Sequence, residues 1–329
     1  MTQHIATLWA KRPTPRGLAV DSPARPVFLA LGLMLVVGWL LFTIDGGQFF
    51  SQANIVGIQQ RSAALGIVAV GQTLAILAGS LDLSVAFLIS LSSLIAAETM
   101  AEYGVLAGIG ATLVVSAVVG LVNGLVITRL KVHAFIATLG VALIIKGVLE
   151  SRYDGPAGHV PESFQRIGFD RIGPVPVSAL LWLAIAVAAW FLLSRTTLGY
   201  RIFAVGGDPE VARLSGVRTD RVIVTTHVLC SLAAGAAGLL LAARLGAGAP
   251  TVGTDGGYDL ESVAAVVLGG TALAGGRGGV AGTVGGVLLL AVLDSSFNQL
   301  EINSFAKDVV RGVVLVAALA VYARRRYAR

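Results

Sequence analysis

Apolar runs long enough to cross a bilayer follow one another along almost the whole chain, separated by short polar links. A span needs about 20 apolar residues. On that measure the runs are 27–44, 55–78, 83–101, 105–128, 133–149, 177–193, 222–245, 280–298 and 309–322, with a tenth, 262–276, that is short and glycine-rich. Two places break the pattern. The first is Gly79-Ser80-Leu81-Asp82-Leu83-Ser84, which interrupts an otherwise continuous apolar stretch. A carboxylate at membrane depth costs a few kcal/mol. It is tolerated if Asp82 caps the following helix near the positive end of its dipole, with Ser84 adding a hydroxyl. The break fits either a broken helix lining a pathway or a tight cytoplasmic turn closed by a cap.

The second is the polar island 194–221. Within it Asp208 suits a helix N-cap, Pro209 the first helical position and Gly216 a left-handed exit. The spacing predicts a helix of about two turns outside the membrane, a docking surface between spans.

Composition agrees with the pattern: of 329 residues 56% are hydrophobic and 13% charged, and the mean hydropathy is +0.84. These values place the chain in a bilayer. The 41 glycines, many in doublets, let helix backbones approach where lipid supplies no drive for association. Positive charge stays in the cytoplasm, and it clusters in the first 26 residues, at Arg129 and Lys131, in 194–221, at Arg277 and at Arg324–Arg326. An even number of crossings satisfies every cluster only if 262–276 crosses. The expected fold is therefore an all-α polytopic bundle of about ten transmembrane helices, some broken, with both termini cytoplasmic. It comprises a cytoplasmic tail 1–26 without a typical cleavable signal, one permease domain 27–323 and a basic tail 324–329. Loop 151–176 is placed outside. A faint internal echo sets Gly71-Gln72-Thr73-Leu74-Ala75 beside Gly269-Gly270-Thr271-Ala272-Leu273-Ala274.

Little in the sequence suggests bond-making chemistry. The single cysteine, Cys230, lies in an apolar run and reads as a core residue. His4, His133, His159 and His227 lack metal-ligand spacing, no serine sits in a G-x-S-x-G turn, and there is no phosphate-binding G-x-x-x-x-G-K-[ST] loop. No cofactor or metal is expected. The net charge of +6 lies at membrane flanks, so nucleic acid is not an expected partner. The polar residues Gln72, Thr73, Asn123, Thr138, Lys146, Asp294 and Asn298 fall within spans. Each fits either a wet pathway or a bond between helices, the second suiting most of them.

Several motifs then occur in order: Gly71-Gln72-Thr73, Gly79-Ser80-Leu81-Asp82-Leu83-Ser84-Val85, Gly120-Leu121-Val122-Asn123-Gly124-Leu125 and Phe135-Ile136-Ala137-Thr138-Leu139-Gly140. They continue with Thr197-Leu198-Gly199, Ala204-Val205-Gly206-Gly207, Ala212-Arg213-Leu214-Ser215-Gly216-Val217 and Gly275-Gly276-Arg277-Gly278. Through them the chain, from about residue 55 to 312, resembles permease subunits of bacterial monosaccharide importers of the ATP-binding-cassette class. It departs at Ser80, where a second glycine is usual, at Ala86, at His133-Ala134 and at Asp208, which bears on substrate fit and not on class.

The resemblance implies a non-enzymatic subunit of the bacterial cytoplasmic membrane, surrounded by lipid. Its implied partners are a second permease copy in a homodimer, a cytoplasmic ATPase and an extracytoplasmic sugar-binding protein. It implies that the short helix docks on the ATPase, through Asp208, Pro209, Glu210, Ala212, Arg213, Leu214, Ser215 and Gly216. Gln72, Thr73, Asp82, Ser84, Asn123, Thr138 and Asn298 are the residues assigned to the pathway or its gate. Two other readings remain: a related permease for another small polar solute such as a branched-chain amino acid, and an ion-coupled carrier using Asp82 or Lys146.

Overall fold

A computed structural model describes residues 27–36, 49–303, 306–307, 309 and 312–313. The proposed tails 1–26 and 324–329 lie outside the described residues. Helix α1 (Val27–Val36) covers the described part of the first predicted span. It is followed by α2 (Gln52–Leu77), α3 (Val85–Tyr103), α4 (Val105–Arg129) and α5 (Ala134–Arg152). Next come α6 (Glu162–Phe169), the two-residue strands β1 (Arg171–Ile172) and β2 (Val175–Pro176), and α7 (Val177–Arg195). The chain continues through α8 (Thr197–Gly207), α9 (Pro209–Leu214), α10 (Thr219–Leu245), α11 (Val252–Asp255), α12 (Tyr258–Leu268) and α13 (Val280–Gln299). Seven of these, α2, α3, α4, α5, α7, α10 and α13, are long and apolar enough to cross a membrane, and the protein is an all-α multi-pass membrane protein.

The bundle is built around α2, which is buried from Ser62 to Leu77 without a break, and around α10, which packs on α2, α3 and α4. Helix α4 shows how a membrane helix inverts the soluble pattern. Its buried face is Gly108, Thr112, Ser116, Gly120, Asn123, Gly124 and Thr128, a stripe at helical spacing. Leu106, Val114, Val118, Leu121, Val122 and Leu125 are exposed. Small residues there bring backbones together: a Cβ added at Gly124 would stand 2.6 Å from Val224 Cα of α10. The stripe's hydroxyls are satisfied within the helix, Thr112 donating to Gly108 O at 2.8 Å and Ser116 to Thr112 O at 2.8 Å.

Two sequence expectations change, those for 262–276 and for 194–221. The tenth predicted span, 262–276, is not one continuous helix: α12 stops at Leu268, and its 11 residues rise only about 16 Å at 1.5 Å each. Val309–Tyr322 lies almost wholly outside the described residues. Loop 151–176 carries α6 and the β1–β2 hairpin. The island 194–221 holds two helices, not one, because Thr196 starts α8. Its hydroxyl donates to Leu192 O of α7 at 2.6 Å and accepts the Gly199 N–H at 3.2 Å.

The internal echo is real in geometry but shifted in register. Helix α2 ends with Gly79 N donating to Ile76 O at 2.9 Å and Ser80 N to Ala75 O at 3.0 Å. Helix α12 ends identically, with Gly270 N donating to Val267 O at 2.8 Å and Thr271 N to Val266 O at 3.1 Å. Both are left-handed glycine exits, with φ of 79° at Gly79 and 84° at Gly270. The structure thus matches Gly79-Ser80 to Gly270-Thr271, whereas Gly71-Gln72-Thr73 lies inside α2.

The exit of α2 meets the loop that follows α12 at one end of the bundle, with α8 against both. Gly276 N donates to Leu77 O, the last carbonyl of α2, at 3.0 Å, and Gly206 of α8 lies so close that an added Cβ would overlap Leu77 O. Substituting Gly206→Ala is therefore expected to cost about 1–3 kcal/mol by overpacking and lower the thermal midpoint in detergent. Gly207→Ala, with nothing within 4 Å of the new methyl, should leave it unchanged. Equal midpoints for the two variants would show that the close approach is not a constraint.

Candidate functional site

Two features stand out at this end of the bundle, a buried polar cluster on the α2–α3 link and the exposed helix α9. In the cluster Asp82 has no exposed surface and its carboxylate collects donors from three elements. Oδ1 accepts the Ser84 N–H at 2.9 Å and the Ser84 hydroxyl at 2.6 Å. Oδ2 pairs with His227 Nδ1 of α10 at 3.2 Å, and Asn123 Nδ2 of α4 lies 3.2 Å from Oδ2 and 3.4 Å from Oδ1. Asn123 Nδ2 also reaches Ser84 Oγ at 2.9 Å. Thr138 of α5 closes the far side of the link, its hydroxyl accepting the Leu83 N–H at 3.1 Å and lying 3.4 Å from Leu81 O. A buried carboxylate is costly unless its oxygens are hydrogen-bonded, and here both are.

Asp82 does not serve as the N-cap itself. That position is Ser84, whose own side chain makes no cap bond; Asp82 grips Ser84 from two residues upstream and so turns the link into α3.

Four of the predicted pathway residues, Asp82, Ser84, Asn123 and Thr138, converge in this cluster. Gln72 and Thr73 sit apart in α2, fully buried. Thr73 meets Thr283 of α13 at 2.7 Å, and Gln72 Oε1 accepts the Cys230 thiol at 3.3 Å. Gln72 Nε2 and Asn123 Oδ1 have no hydrogen-bond partner in the protein. Asn298 is exposed near the end of α13, bonded to Asp294 and Lys307, and does not join the others. Lys146 is also exposed, 3.6 Å from Glu150 one turn along α5.

The sequence reading left out two members of the cluster, Ser80 and His227. Ser80 Oγ lies 2.7 Å from His227 Nε2, so serine, histidine and aspartate form one hydrogen-bonded series. The connectivity is that of a hydrolase triad, contrary to the expectation of no such arrangement. Its surroundings are not: Ser80 is 6% exposed and Asp82 and His227 have no exposed surface, so no substrate bond can reach Oγ. A signal was available, since an ionisable residue in an apolar span needs a partner and Asp82 was the carboxylate at depth.

Helix α9 has the predicted punctuation. Asp208 Oδ1 accepts the N–H groups of Glu210 at 2.9 Å and Val211 at 3.0 Å, and Pro209 opens the helix. At the other end Gly216, with φ of 82°, lets Val217 N donate to Ala212 O at 3.0 Å. Arg213 and Glu210 pair at 2.7 Å on its surface. Ala212 is buried against the bundle, whereas Val211 is 57% and Leu214 80% exposed, leaving an apolar face outside the spans.

Comparison with known proteins gives a consistent result. The family described as branched-chain amino acid transport system / permease component matches residues 54–319. The ribose import permease protein RbsC of Escherichia coli is 38% identical over 279 residues, which is 83% of this chain and 86% of that protein. The L-arabinose transport system permease protein AraH of Escherichia coli is 37% identical over 293 residues, 87% of this chain and 88% of that protein. The fructose import permease protein FrcC of Rhizobium meliloti is 32% identical over 319 residues, 92% and 85% of the two chains. No solved structure matches.

Replacing Asp82 by alanine strips His227, Ser84 and Asn123 of their common acceptor. The expected cost is about 3–5 kcal/mol, the range for removing one partner of a buried pair, read as a large fall in folded yield and thermal midpoint. Asn298→Ala, on an exposed site, should stay within about 0.5 kcal/mol of the parent. Similar midpoints for the two would mean that the cluster carries no stability.

Proposed function

The chain belongs to the permease family described as branched-chain amino acid transport system / permease component, and on that premise we propose that it is the membrane subunit of an ATP-binding-cassette importer for a monosaccharide. The relatives' sugar specificities favour a sugar over an amino acid. The ion-coupled alternative finds little support: Lys146 is exposed and paired, and the Asp82 carboxylate is enclosed by donors.

In this reading the end of the bundle with α8 and α9 faces the cytoplasm. Arg129, Lys131, Arg195, Arg201, Arg213, Arg218, Arg221 and Arg277 all belong to it, as the positive-inside rule requires. About ten spans then bring both termini inside. A separate ATPase takes the apolar face of α9, a second copy of the chain completes a homodimer, and a sugar-binding protein delivers substrate at the opposite end, where α6 lies against the last turn of α10. The exposed outer faces of α4, α5 and α7 meet lipid. The observation that carries the proposal is α9 itself: a helix capped at both ends, presenting Val211 and Leu214 outward, and joined through α8 to the last carbonyl of α2. A push on α9 is thereby delivered to the central helix, and alternating access follows if that helix end shifts against α10.

Two experiments test this. Liposomes holding the chain with its ATPase and binding protein should take up sugar only with ATP; uptake by the chain alone under an ion gradient would overturn the proposal. Gly216→Val has open space for its side chain but resists positive φ, a strain of about 1–3 kcal/mol. Sugar-stimulated ATP hydrolysis in the assembled complex is expected to fall about tenfold, with Gly216→Asn retaining most of it. Full hydrolysis by the valine variant would remove α9 from the coupling route.

A further inference from the structure

Membrane topology calls for arginines at this end of the bundle, but it does not ask them to share a site. Of the five arginines in 194–221, three line one cleft of about 470 Å³ between α8 and the start of α10. Arg201 comes from α8, Arg218 from the link after α9, and Arg221 from the first turn of α10. All three are exposed, so a ligand can reach them. Leu198 and Val222 give the cleft an apolar side, and Gly216, the exit of α9, borders it.

Among the described residues none of the three guanidiniums has an ion-pair or hydrogen-bond partner. The acids of the same segment are engaged elsewhere. Asp208 caps α9, Glu210 pairs with Arg213, and Asp220 lies 3.6 Å from Lys131. Thr225 donates its hydroxyl proton to Arg221 O at 2.7 Å and brings no charge to the cleft. Like charges facing one hollow repel, and an anion between them reverses the sign of each interaction.

The donors define the chemistry of that anion. A carboxylate has two oxygens, and one guanidinium fork occupies both. A phosphate group presents charged oxygens on several sides, so forks from α8, the link and α10 can each take part. The volume falls within the roughly 300–1,000 Å³ of small-ligand pockets. The cleft also lies where α10 begins its apolar run, the level at which basic pockets between helices take phosphate headgroups.

We propose that this cleft is a phosphate-binding site, filled by the headgroup of an anionic lipid or by a soluble phosphate. Bound there, the phosphate ties α8 to α10 across the exit of α9. Val211 and Leu214, the apolar face of α9, do not line the cleft and stay open to a protein partner. The site is independent of the importer reading, and its test needs no partner chain.

The full chain is purified in a nonionic detergent, and its thermal midpoint is followed at constant ionic strength against two probes. One is inorganic phosphate, with chloride as the blank; the other is short-chain phosphatidylglycerol, with phosphatidylcholine of the same chain length as the blank. At least one probe should raise the midpoint saturably by about 2 °C or more over its blank. A rise with the lipid alone assigns the site to a headgroup, a rise with inorganic phosphate alone to the soluble ion, and a rise with both shows that the phosphate itself suffices. The variant carrying both Arg201→Gln and Arg221→Gln should lose the rise, whereas Arg213→Gln, at a residue outside the cleft, should keep it. No rise with either probe overturns the proposal, as does a rise of equal size in the double variant. If that variant does not fold, Arg201→Gln and Arg218→Gln are measured singly: each should weaken the apparent affinity about fivefold or more, and unchanged affinity in both removes the site. Should neither probe bind while the double variant sheds a partner protein that the parent retains, the arginines serve an acidic protein surface and the proposal fails.

Discussion

A helix that ends inside a protein leaves carbonyls that nothing in the helix can satisfy, and the whole of this end of the bundle is arranged around that requirement at α2. The Schellman exit takes the carbonyls of Ala75 and Ile76, and the last one, Leu77, is met by the backbone of a segment nearly two hundred residues away. For that to happen three backbones must converge where no side chain fits; Gly206, Gly275 and Gly276 supply the room, and Gly79 the left-handed turn that brings the link there. The position of α8, the course of the 269–279 loop and the direction in which the α2–α3 link departs all follow from that one contact.

The polar cluster beside it solves a different problem. An apolar plug of the same volume would often be as stable as a buried charge with its partners. What a carboxylate adds is direction: donors from α3, α4 and α10 must all point at two oxygens, and only one placement of the link allows it. The cluster fixes where the seam sits laterally, while the glycine contacts fix how close its parts come. Packing energy along α4 and α10 holds the spans together but leaves both of those quantities open.

How much of this could be read beforehand depended on sequence distance. Helix α9 was legible because Asp208, Pro209 and Gly216 act within one short segment, and the cap geometry follows from neighbours. The seven long spans were legible by length and hydropathy. Helix α8 was hidden, since Thr197–Gly207 holds three glycines and an arginine and its start depends on Thr196 bonding backward to α7. The end of α12 was hidden for a related reason: glycines that read as membrane packing at Gly269-Gly270 form a helix exit. The same confusion set the internal echo out of register. Ser80 and His227 were beyond local reading altogether, being 147 positions apart, and their pairing emerges only once α2 and α10 are side by side. Asp82 was found as a site because charge in an apolar run is conspicuous, although its partners were only partly named.

Thr196 shows how little chemistry sets the attitude of the plate formed by α8. One hydroxyl closes α7 at Leu192 O and opens α8 at Gly199 N, and Gly199 tucks beneath the Leu193 carbonyl with no space for a methyl group. The elbow between span and plate is thus closed by a single side chain, beside the apolar cluster that Ile202 and Val205 share with Ala189 and Leu193. Serine would keep both bonds and shed only a methyl, whereas valine would keep the volume and lose both. Exchange at this one residue therefore tests the elbow's hydrogen bonds apart from its packing, since serine and valine each remove one and keep the other.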